Sequence, residues 1–166
     1  MAKKSGSKKK KPQGENPDIK NICRNRRAFH EYTILETIEC GLVLTGTEVK
    51  SLRDRAPTLD DAYARIKERE LWLYGCDIPE YTMGNLFNHK PMRPRKLLLH
   101  KREITKFADK ANQQGFTLVP TRMYFKKGWA KVEIAMAKGK QLHDKRETQK
   151  KKDAQREIQR EMNRRR

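Results

Sequence analysis

The sequence is poor in cysteine and lacks any long apolar segment, and both absences narrow the class of protein. Its three cysteines are Cys23, Cys40 and Cys76, and none stands near a histidine at the spacing of a zinc site, so we expect reduced thiols and no metal. No apolar run approaches the roughly 20 residues of a membrane span. The N-terminus is basic but has no apolar stretch of the kind found in a signal peptide. These features predict a soluble cytoplasmic protein with no membrane partner and no cofactor.

The signatures of an enzyme are also missing. No serine lies in a nucleophile elbow, no glycine-rich loop is suited to phosphate binding, and the histidines at positions 30, 89, 100 and 143 show no ligand spacing. Asp60 and Asp61 are adjacent, and adjacent strand residues point to opposite faces of a sheet. The pair is therefore a weak candidate for the metal site of a nuclease. We predict a protein without catalytic residues, and a metal-dependent nuclease is the weakest of the alternatives.

Positive charge is abundant. The chain has 40 Lys and Arg against 21 Asp and Glu, a net charge of +19 and a pI of about 10.1. Residues 1–16 contribute +5, residues 17–137 contribute +7 and residues 138–166 contribute +7. Charge at this density repels itself, and a phosphate backbone would relieve the repulsion. Nucleic acid is the predicted partner; the alternative is that the basic ends only aid solubility.

The chain divides into three regions. Residues 1–16 are rich in Lys, Ser, Gly and Pro and are predicted to be a disordered extension. Residues 17–137 are predicted to form one domain. It begins with a strand over residues 27–38, and Gly41 then separates this strand from a short one at residues 42–45. A short helix is predicted from Gly46 until before Pro57, which forbids its continuation.

The rest of this domain is predicted to be rich in strands. Residues 62–67 and 71–78 alternate around a charged hairpin loop, a long loop follows at residues 79–94, and residues 96–99 form a short strand or lead into a helix. That helix, with a capping box from His100 to Glu103, ends at Gly115. A hairpin of residues 116–125 and 129–137 turns at Gly128. The pattern predicts a mainly β fold, a small antiparallel OB-like barrel with two to three inserted helices, in preference to a two-sheet sandwich.

Cations and flat rings alternate in two segments of this domain. One segment has three arginines followed by three rings: Arg24, Arg26 and Arg27, then Phe29, His30 and Tyr32. The arginines are suited to bind phosphates, and the rings are suited to stack on an unstacked base. The alternative is that Phe29 and Tyr32 are core residues. Five cations surround the start of the second helix, itself an anion site: Arg93, Arg95, Lys96, Lys101 and Arg102. Glu31, Glu39 and Glu48 either pair with nearby arginines or accept hydrogen bonds from bases and 2′-hydroxyls.

Residues 138–166 form a basic tail, with 12 Lys and Arg against 5 Asp and Glu. Ala154, Ile158 and Met162 recur every fourth residue, so the tail could form a helix with one narrow apolar stripe. Alone in water such a helix would be marginal. We predict a tail that is disordered when free and becomes helical on a polyanion; permanent disorder is the alternative.

Five runs of sequence resemble the SmpB family, the bacterial SsrA-binding proteins. They are NRRAFHEY (25–32), GLVLTGTEVKSLR (41–53), RPRKLLLHKREI (93–104), GFTLVPTRMYF (115–125) and KVEIAMAKGKQLHDKRE (131–147). The resemblance implies an OB-like barrel that is not an enzyme. It also implies binding to the tRNA-like domain of transfer-messenger RNA and delivery of this RNA to stalled ribosomes. The tail is then expected to enter the empty messenger channel near the decoding centre of the small subunit.

The resemblance also assigns roles to positions. Glu39, Leu98 and His100 match residues implicated in RNA binding, and residues 139–146 match the tail motif used on the ribosome. His100 stands where Asn is common and Gln141 where a second Lys is common, which affects the helix cap and the charge of the tail. The full RNA-binding prediction is Asn25, Arg27, His30, Tyr32, Glu39, Arg95, Lys96, Leu98, His100, Lys101, Lys131 and Lys138. The ribosome-engaging prediction is Gly139, Lys140, His143, Asp144, Lys145, Arg146, Ile158 and Met162. We expect a monomer, and the alternative function is a general RNA-binding OB protein associated with the ribosome.

Overall fold

A computed structural model describes residues 18–84, 86–141 and 154–164. These residues form seven strands and four helices. The strands are β1 (Ile19–Arg24), β2 (Tyr32–Leu42), β3 (Tyr63–Lys67), β4 (Glu70–Tyr74), β5 (Arg95–Leu98), β6 (Thr117–Lys126) and β7 (Trp129–Gly139). The helices are α1 (Arg26–Glu31), α2 (Gly46–Asp54), α3 (Lys101–Gln114) and α4 (residues 154–164).

The strands form one antiparallel sheet that closes on itself. Their order is β1-β6-β3-β4-β5-β2-β7, and β6 also pairs with β7. Six strands thus make a ring, and β1 adds to the outside edge of β6. This arrangement confirms the prediction of a small, mainly β, closed antiparallel fold.

The interior of the ring is apolar, and α3 contributes to it. Phe107 and Ala111 of α3 belong to the same buried cluster as Leu73, Val132 and Ile134 of the strands. The helix ends at Gly115, whose φ of 61° is the left-handed conformation that glycine adopts at low cost. Both the apolar face of this helix and its end at Gly115 confirm the sequence-based prediction.

The prediction of a strand from residue 27 was wrong, because residues Arg26–Glu31 form the short helix α1. Asn25 begins this helix: its Oδ1 accepts a hydrogen bond from the Ala28 amide at 2.8 Å. Ala28 then packs against Val119 and Ala135 in a second small apolar cluster on the outside of the ring. With α1, α2 and α3 the domain has three helices, in agreement with the two to three predicted for it.

The predicted break at Gly41 was also wrong. β2 runs unbroken from Tyr32 to Leu42, and Gly41 pairs with Leu98 on one side and Lys131 on the other. A Cβ at Gly41 would lie 3.3 Å from the Cβ of Leu98. Glycine therefore serves close packing between β2 and β5 here, and it does not end the strand.

Both predicted hairpins are present. The turn between β3 and β4 consists of Glu68 and Arg69, with φ values of 52° and 61°. The turn between β6 and β7 consists of Lys127 and Gly128, with φ values of 50° and 83°. Positive φ at both central residues matches the right-handed twist of the flanking strands.

The helix predicted from Gly46 is confirmed as α2, which begins with a hydrogen bond from the Thr45 amide to Glu48 at 2.7 Å.

A candidate nucleic-acid interface on the outside of the ring

The strand register places a polar row across the outside of the ring. Gly41 of β2 lies between Leu98 of β5 and Lys131 of β7, and Lys131 pairs with Tyr124 of β6. The next outward row contains Glu39, Glu133 and Arg122. Together these positions define a surface that we call the Glu39 face: Glu39, Gly41, Leu98, Arg122, Tyr124, Lys126, Trp129, Lys131 and Glu133.

Glu39 lies at the centre of this face and has three partners. The Tyr124 hydroxyl donates to Oε2 at 2.5 Å, Lys126 Nζ donates to the same oxygen at 3.0 Å, and Lys131 Nζ lies 3.7 Å from Oε1. The hydrogen bond from Tyr124 and the lysine charges lower the pKa of Glu39 despite its partial burial. Burial and the bond to Glu39 raise the pKa of Tyr124. The carboxylate is therefore ionised near neutral pH and holds two lysines beside it.

Aromatic rings and arginines stack on the same side of the ring. The Arg122 guanidinium lies 5.0 Å from the ring centre of Tyr124, and Arg24 lies 4.7 Å from that of Phe29. An open groove of about 480 Å³ lies between these pairs. Its lining comprises Asn21, Ile22, Cys23, Arg24, Phe29, Arg122 and Glu133. Trp129, at the end of the hairpin, is 75% exposed. Tyr124 is itself buried, so the groups that suit bases and phosphates are the exposed Trp129, the half-buried Phe29 and the arginines.

At its other edge the face has an apolar notch. Gly41 has no side chain, and Leu98 beside it is 52% exposed. An exposed leucine over bare backbone can contact a sugar or a base edge closely. His100 and Lys101 follow at the start of α3, and both are exposed. The Glu103 carboxylate accepts a hydrogen bond from the His100 amide at 3.2 Å, so the predicted capping interaction from Glu103 is present.

Arg95 does not lie on this face, because its side chain is completely buried. Its Nε donates to Glu48 Oε1 at 2.8 Å, and its terminal nitrogens donate to the carbonyls of Cys76 and Pro91. Arg93 donates to the same buried carboxylate at 2.9 Å. Burial raises the pKa of Glu48, but the hydrogen bonds from Arg93 and Thr45 and the charge of Arg95 together lower it. This network fixes α2 to β5, and the structure leaves Arg95 no donor directed at solvent.

Asn25 and Arg27 are engaged within the protein. The buried Asn25 amide donates to the Leu59 carbonyl at 2.7 Å in addition to its capping bond. Arg27 is half exposed and pairs with Glu31 at 2.9 Å and Asp61 at 2.7 Å. Asn25 therefore stabilises the fold, while Arg27 lies on the surface with its charge already compensated.

The other predicted RNA-binding residues are spread around the ring. His30 is exposed on α1, and Tyr32 is half buried against the small outer cluster. Lys96 forms an ion pair with Glu70 on β4. Lys138 is exposed near the end of β7, opposite Thr33. The structure therefore brings Glu39, Leu98 and Lys131 together, and it places the remaining surface residues outside that cluster.

The first residues of the predicted tail are part of the fold. Gly139 pairs with Tyr32, and Lys140 donates from its amide to the Glu31 carbonyl at 2.9 Å and from Nζ to the Phe29 carbonyl at 3.1 Å. The remaining tail-motif residues lie outside the described residues: His143, Asp144, Lys145 and Arg146. In α4, Ile158 and Met162 are exposed.

Sequence reasoning missed four contributors to the Glu39 face: Arg122, Tyr124, Lys126 and Trp129. The alternation of β6 and β7 was recognised, and it does place these residues on one side. The alternation could not show that this side of the two strands contacts Glu39, which is 85 residues from Tyr124 in sequence.

In the described part of the chain, no group of His, Cys, Asp and Glu is arranged to hold a metal ion. No helix among the described residues is long and apolar enough to cross a membrane.

The fold and the face define a class of protein: a small closed antiparallel β-ring with inserted helices and a basic, aromatic outer surface. The family model of the SmpB protein matches residues 22–164. The chain belongs to the SmpB protein family.

Close relatives cover nearly the whole chain. The SsrA-binding protein of Thermobifida fusca is 54% identical over 159 residues, which is 96% of this chain and 98% of that protein. The SsrA-binding protein of Desulforudis audaxviator is 56% identical over 139 residues, 84% of this chain and 91% of that protein. A solved structure described as "tmRNA-SmpB: a journey to the center of the bacterial ribosome" is similar with a TM-score of 0.63 and 44% identity, covering 76% of this chain and 93% of that one.

Proposed function

We propose that this protein binds the tRNA-like domain of transfer-messenger RNA and delivers it to stalled ribosomes for trans-translation. Membership of the SmpB family, the SsrA-binding relatives and the similar tmRNA-SmpB structure on the bacterial ribosome support this function. The role is non-enzymatic and cytoplasmic, and the protein acts as a monomer without a cofactor.

The arrangement of Glu39 is the observation that carries the proposal. A surface that bound phosphates alone would need only cations, yet an ionised carboxylate lies among Lys126 and Lys131 at the centre of this one. Lysines and arginines fix the RNA backbone, whereas a carboxylate accepts hydrogen bonds from base amino groups or a 2′-hydroxyl. Glu39 also repels a phosphate placed at the same point, so it favours RNAs that offer a donor there.

Within this proposal the predicted residues have different roles. Lys131 and Lys126 bind phosphates beside Glu39, and the notch of Leu98 and Gly41 contacts the sugar edge. His100 and Lys101 extend the interface to the start of α3. Arg95 and Asn25 act by holding the fold. The exposed or half-exposed residues Arg27, His30, Tyr32, Lys96 and Lys138 lie at the periphery of the interface.

The tail engages the ribosome in this proposal. The residues proposed to do so are Gly139, His143, Asp144, Lys145 and Arg146 of the tail motif, with Ile158 and Met162 as the apolar side of a helix in the empty messenger channel. Lys140, which is bound to α1, sets the point at which the tail leaves the domain.

A salt series tests the proposal against the alternative of a general RNA-binding OB protein. Binding to the isolated tRNA-like domain is compared with binding to an unrelated structured RNA of equal length. Phosphate contacts alone weaken equally for both RNAs as salt rises, because affinity then follows counterion release. We expect the tRNA-like domain to keep its advantage at the highest salt. Equal affinities and equal slopes throughout would identify a general RNA binder.

Truncation tests the division of labour between domain and tail. Ending the chain after Gln141 keeps the pairing of Gly139 with Tyr32 and both bonds of Lys140, whereas ending it after Ala137 would remove them. We expect the chain ending at Gln141 to bind the tRNA-like domain like the full chain and to support no tagging of stalled peptides in reconstituted translation. Normal tagging by the truncated chain would refute the role of the tail.

A further inference from the structure

A second aromatic surface lies on the opposite part of the ring from the Glu39 face. Strand register pairs Tyr63 of β3 with Tyr74 of β4, and it pairs Arg65 with Trp72, which in turn pairs with Lys96 of β5. The residues that alternate with them, such as Ala64, Leu71 and Leu73, are buried in the core. The aromatic residues therefore point outward. We call this surface the Trp72 face: Tyr63, Arg65, Lys67, Trp72, Tyr74 and Lys96.

Tyr63 on this face is exposed, and Trp72 and Tyr74 are half-buried. Neither hydrophobic cluster includes Tyr63, Trp72 or Tyr74. The two tyrosine rings stack with centroids 5.5 Å apart and an angle of 16° between their planes. Tyr63 nevertheless remains 47% exposed. The stack thus has a flat outer side that a third ring can extend.

The charges around these rings favour a polyanion. Arg65 and Lys67 are exposed and make no ion pair among the described residues, and they stand two residues apart on β3, about 7 Å along the strand. Among the paired residues of β3, β4 and β5 there is one carboxylate, that of Glu70, and Lys96 neutralises it. Cross-strand stacking of Tyr63 and Tyr74 stabilises the hairpin, but it does not require Trp72 in the next row or unpaired cations beside it.

We propose that the Trp72 face binds a second segment of RNA, single-stranded and with an unstacked base. The base stacks on the outer side of Tyr63 or on Trp72, and Arg65 and Lys67 bind the adjoining phosphates. A protein partner would more often be met by a surface with an apolar centre and a polar rim, whereas here cations and rings alternate along the same strands. Leu98, two residues after Lys96 on β5, belongs to the Glu39 face, so the two faces are close enough to engage two RNA segments at once.

The fluorescence of Trp72 provides a direct test. The chain has two tryptophans, so Trp129→Phe in the full-length protein leaves Trp72 as the single reporter. The probe is single-stranded oligoadenylate of about eight nucleotides, within the site sizes of OB folds. We expect saturable quenching, and we expect Tyr63→Leu or Arg65→Gln to weaken binding, the tyrosine variant by about 5- to 150-fold.

Matched controls make every outcome decisive. Phe87→Leu removes an exposed ring from the loop before β5 and should leave the quenching titration unchanged. If Tyr63→Leu unfolds the protein by circular dichroism, Arg65→Gln still tests the face, because its side chain has no partner in the described chain. Absence of quenching, wild-type affinity of the folded variants, or equal quenching by polyglutamate, which would indicate an acidic protein partner, would each overturn the proposal. Binding of the tRNA-like domain is measured separately, so failure here leaves the proposed function standing.

Discussion

The side-chain ammonium of Lys140 donates a hydrogen bond to the carbonyl oxygen of Phe29 at 3.1 Å. Phe29 belongs to α1, whose last carbonyls have no partner within so short a helix. The amide of Lys140 binds the Glu31 carbonyl of the same helix at 2.9 Å. A cation at this end also complements the helix dipole. Lys140 therefore fastens the end of β7 to α1.

Lys140→Met should separate RNA binding from ribosome rescue. The substitution removes the bond to Phe29 and keeps the backbone bond, so the end of β7 is held less firmly to α1 while the Glu39 face is untouched. We expect unchanged affinity for the tRNA-like domain and reduced tagging of stalled peptides in reconstituted translation. Lys90→Met, which removes an exposed lysine from a loop, is the control for the loss of one charge. Full tagging by Lys140→Met would show that this contact does not position the tail.

Glu48→Gln should strongly destabilise the protein. The change leaves the buried Arg95 without its counterion, and breaking a buried pair by removing one partner costs about 3–5 kcal/mol. Urea unfolding measures the loss of free energy. The exposed pair of Glu36 and Lys110 supplies the control, since Glu36→Gln should leave the free energy of unfolding nearly unchanged. Equal effects of the two substitutions would contradict the structural role of the network.

The acid limb of the stability profile should depend on the same carboxylate. The pKa of Glu48 is lowered in the folded state, so its contribution is fully present above the unfolded pKa of about 4.3 and is lost as pH falls through the folded value. We expect the free energy of unfolding of the wild type to fall more steeply than that of Glu48→Gln as pH is lowered below 4.3. Parallel profiles of the two proteins would argue against this linkage.

Gly41 and Leu98 should be coupled in stability. In Gly41→Ala the new methyl crowds the Leu98 side chain, and overpacking of this kind costs about 1 kcal/mol or more. Leu98→Ala alone should have a small effect, because the leucine is exposed. Alanine at position 98 keeps the Cβ that the new methyl meets but frees it to shift, so the double variant should regain part of the loss, which a double-mutant cycle from urea unfolding would reveal. Strictly additive effects would mean that the notch is not tightly packed.

Glu39→Gln should reduce discrimination between RNAs. Loss of the carboxylate frees Lys126 and Lys131 for any phosphate and removes an acceptor for a specific donor. We expect weaker binding to the tRNA-like domain and unchanged or tighter binding to an unrelated structured RNA, measured at equal salt. A uniform change for both RNAs would show that Glu39 contributes charge and no specificity.

Features decided by neighbouring residues could be read from the sequence. The hairpin at Gly128, the end of α3 at Gly115 and the start of α2 were all predicted, because each depends on residues within a few positions. The helix α1 was missed because its six residues fit an alternating pattern equally well. The cap at Asn25 was the available signal, since asparagine is a favoured N-cap residue.

The candidate site was harder to predict from the sequence, because its geometry depends on pairs of residues that are far apart along the chain. Glu39 and Leu98 were identified through family resemblance. The burial of Arg95 was missed, since its partner Glu48 is 47 residues away and a basic residue in a basic segment resembles a surface cation. Gly41 was taken for a break because only the pairing of β2 with β5 shows that its missing side chain accommodates Leu98.

Closure of the sheet into a ring affects whether copies of the protein aggregate when they are crowded together. In the described chain β1 is the one strand that pairs on a single side, and it carries Lys20 and Arg24. Charged side chains on a lone strand oppose the addition of a strand from another molecule. Copies gathered on the same polyanion are therefore protected from edge-to-edge aggregation, although their mutual repulsion has been neutralised.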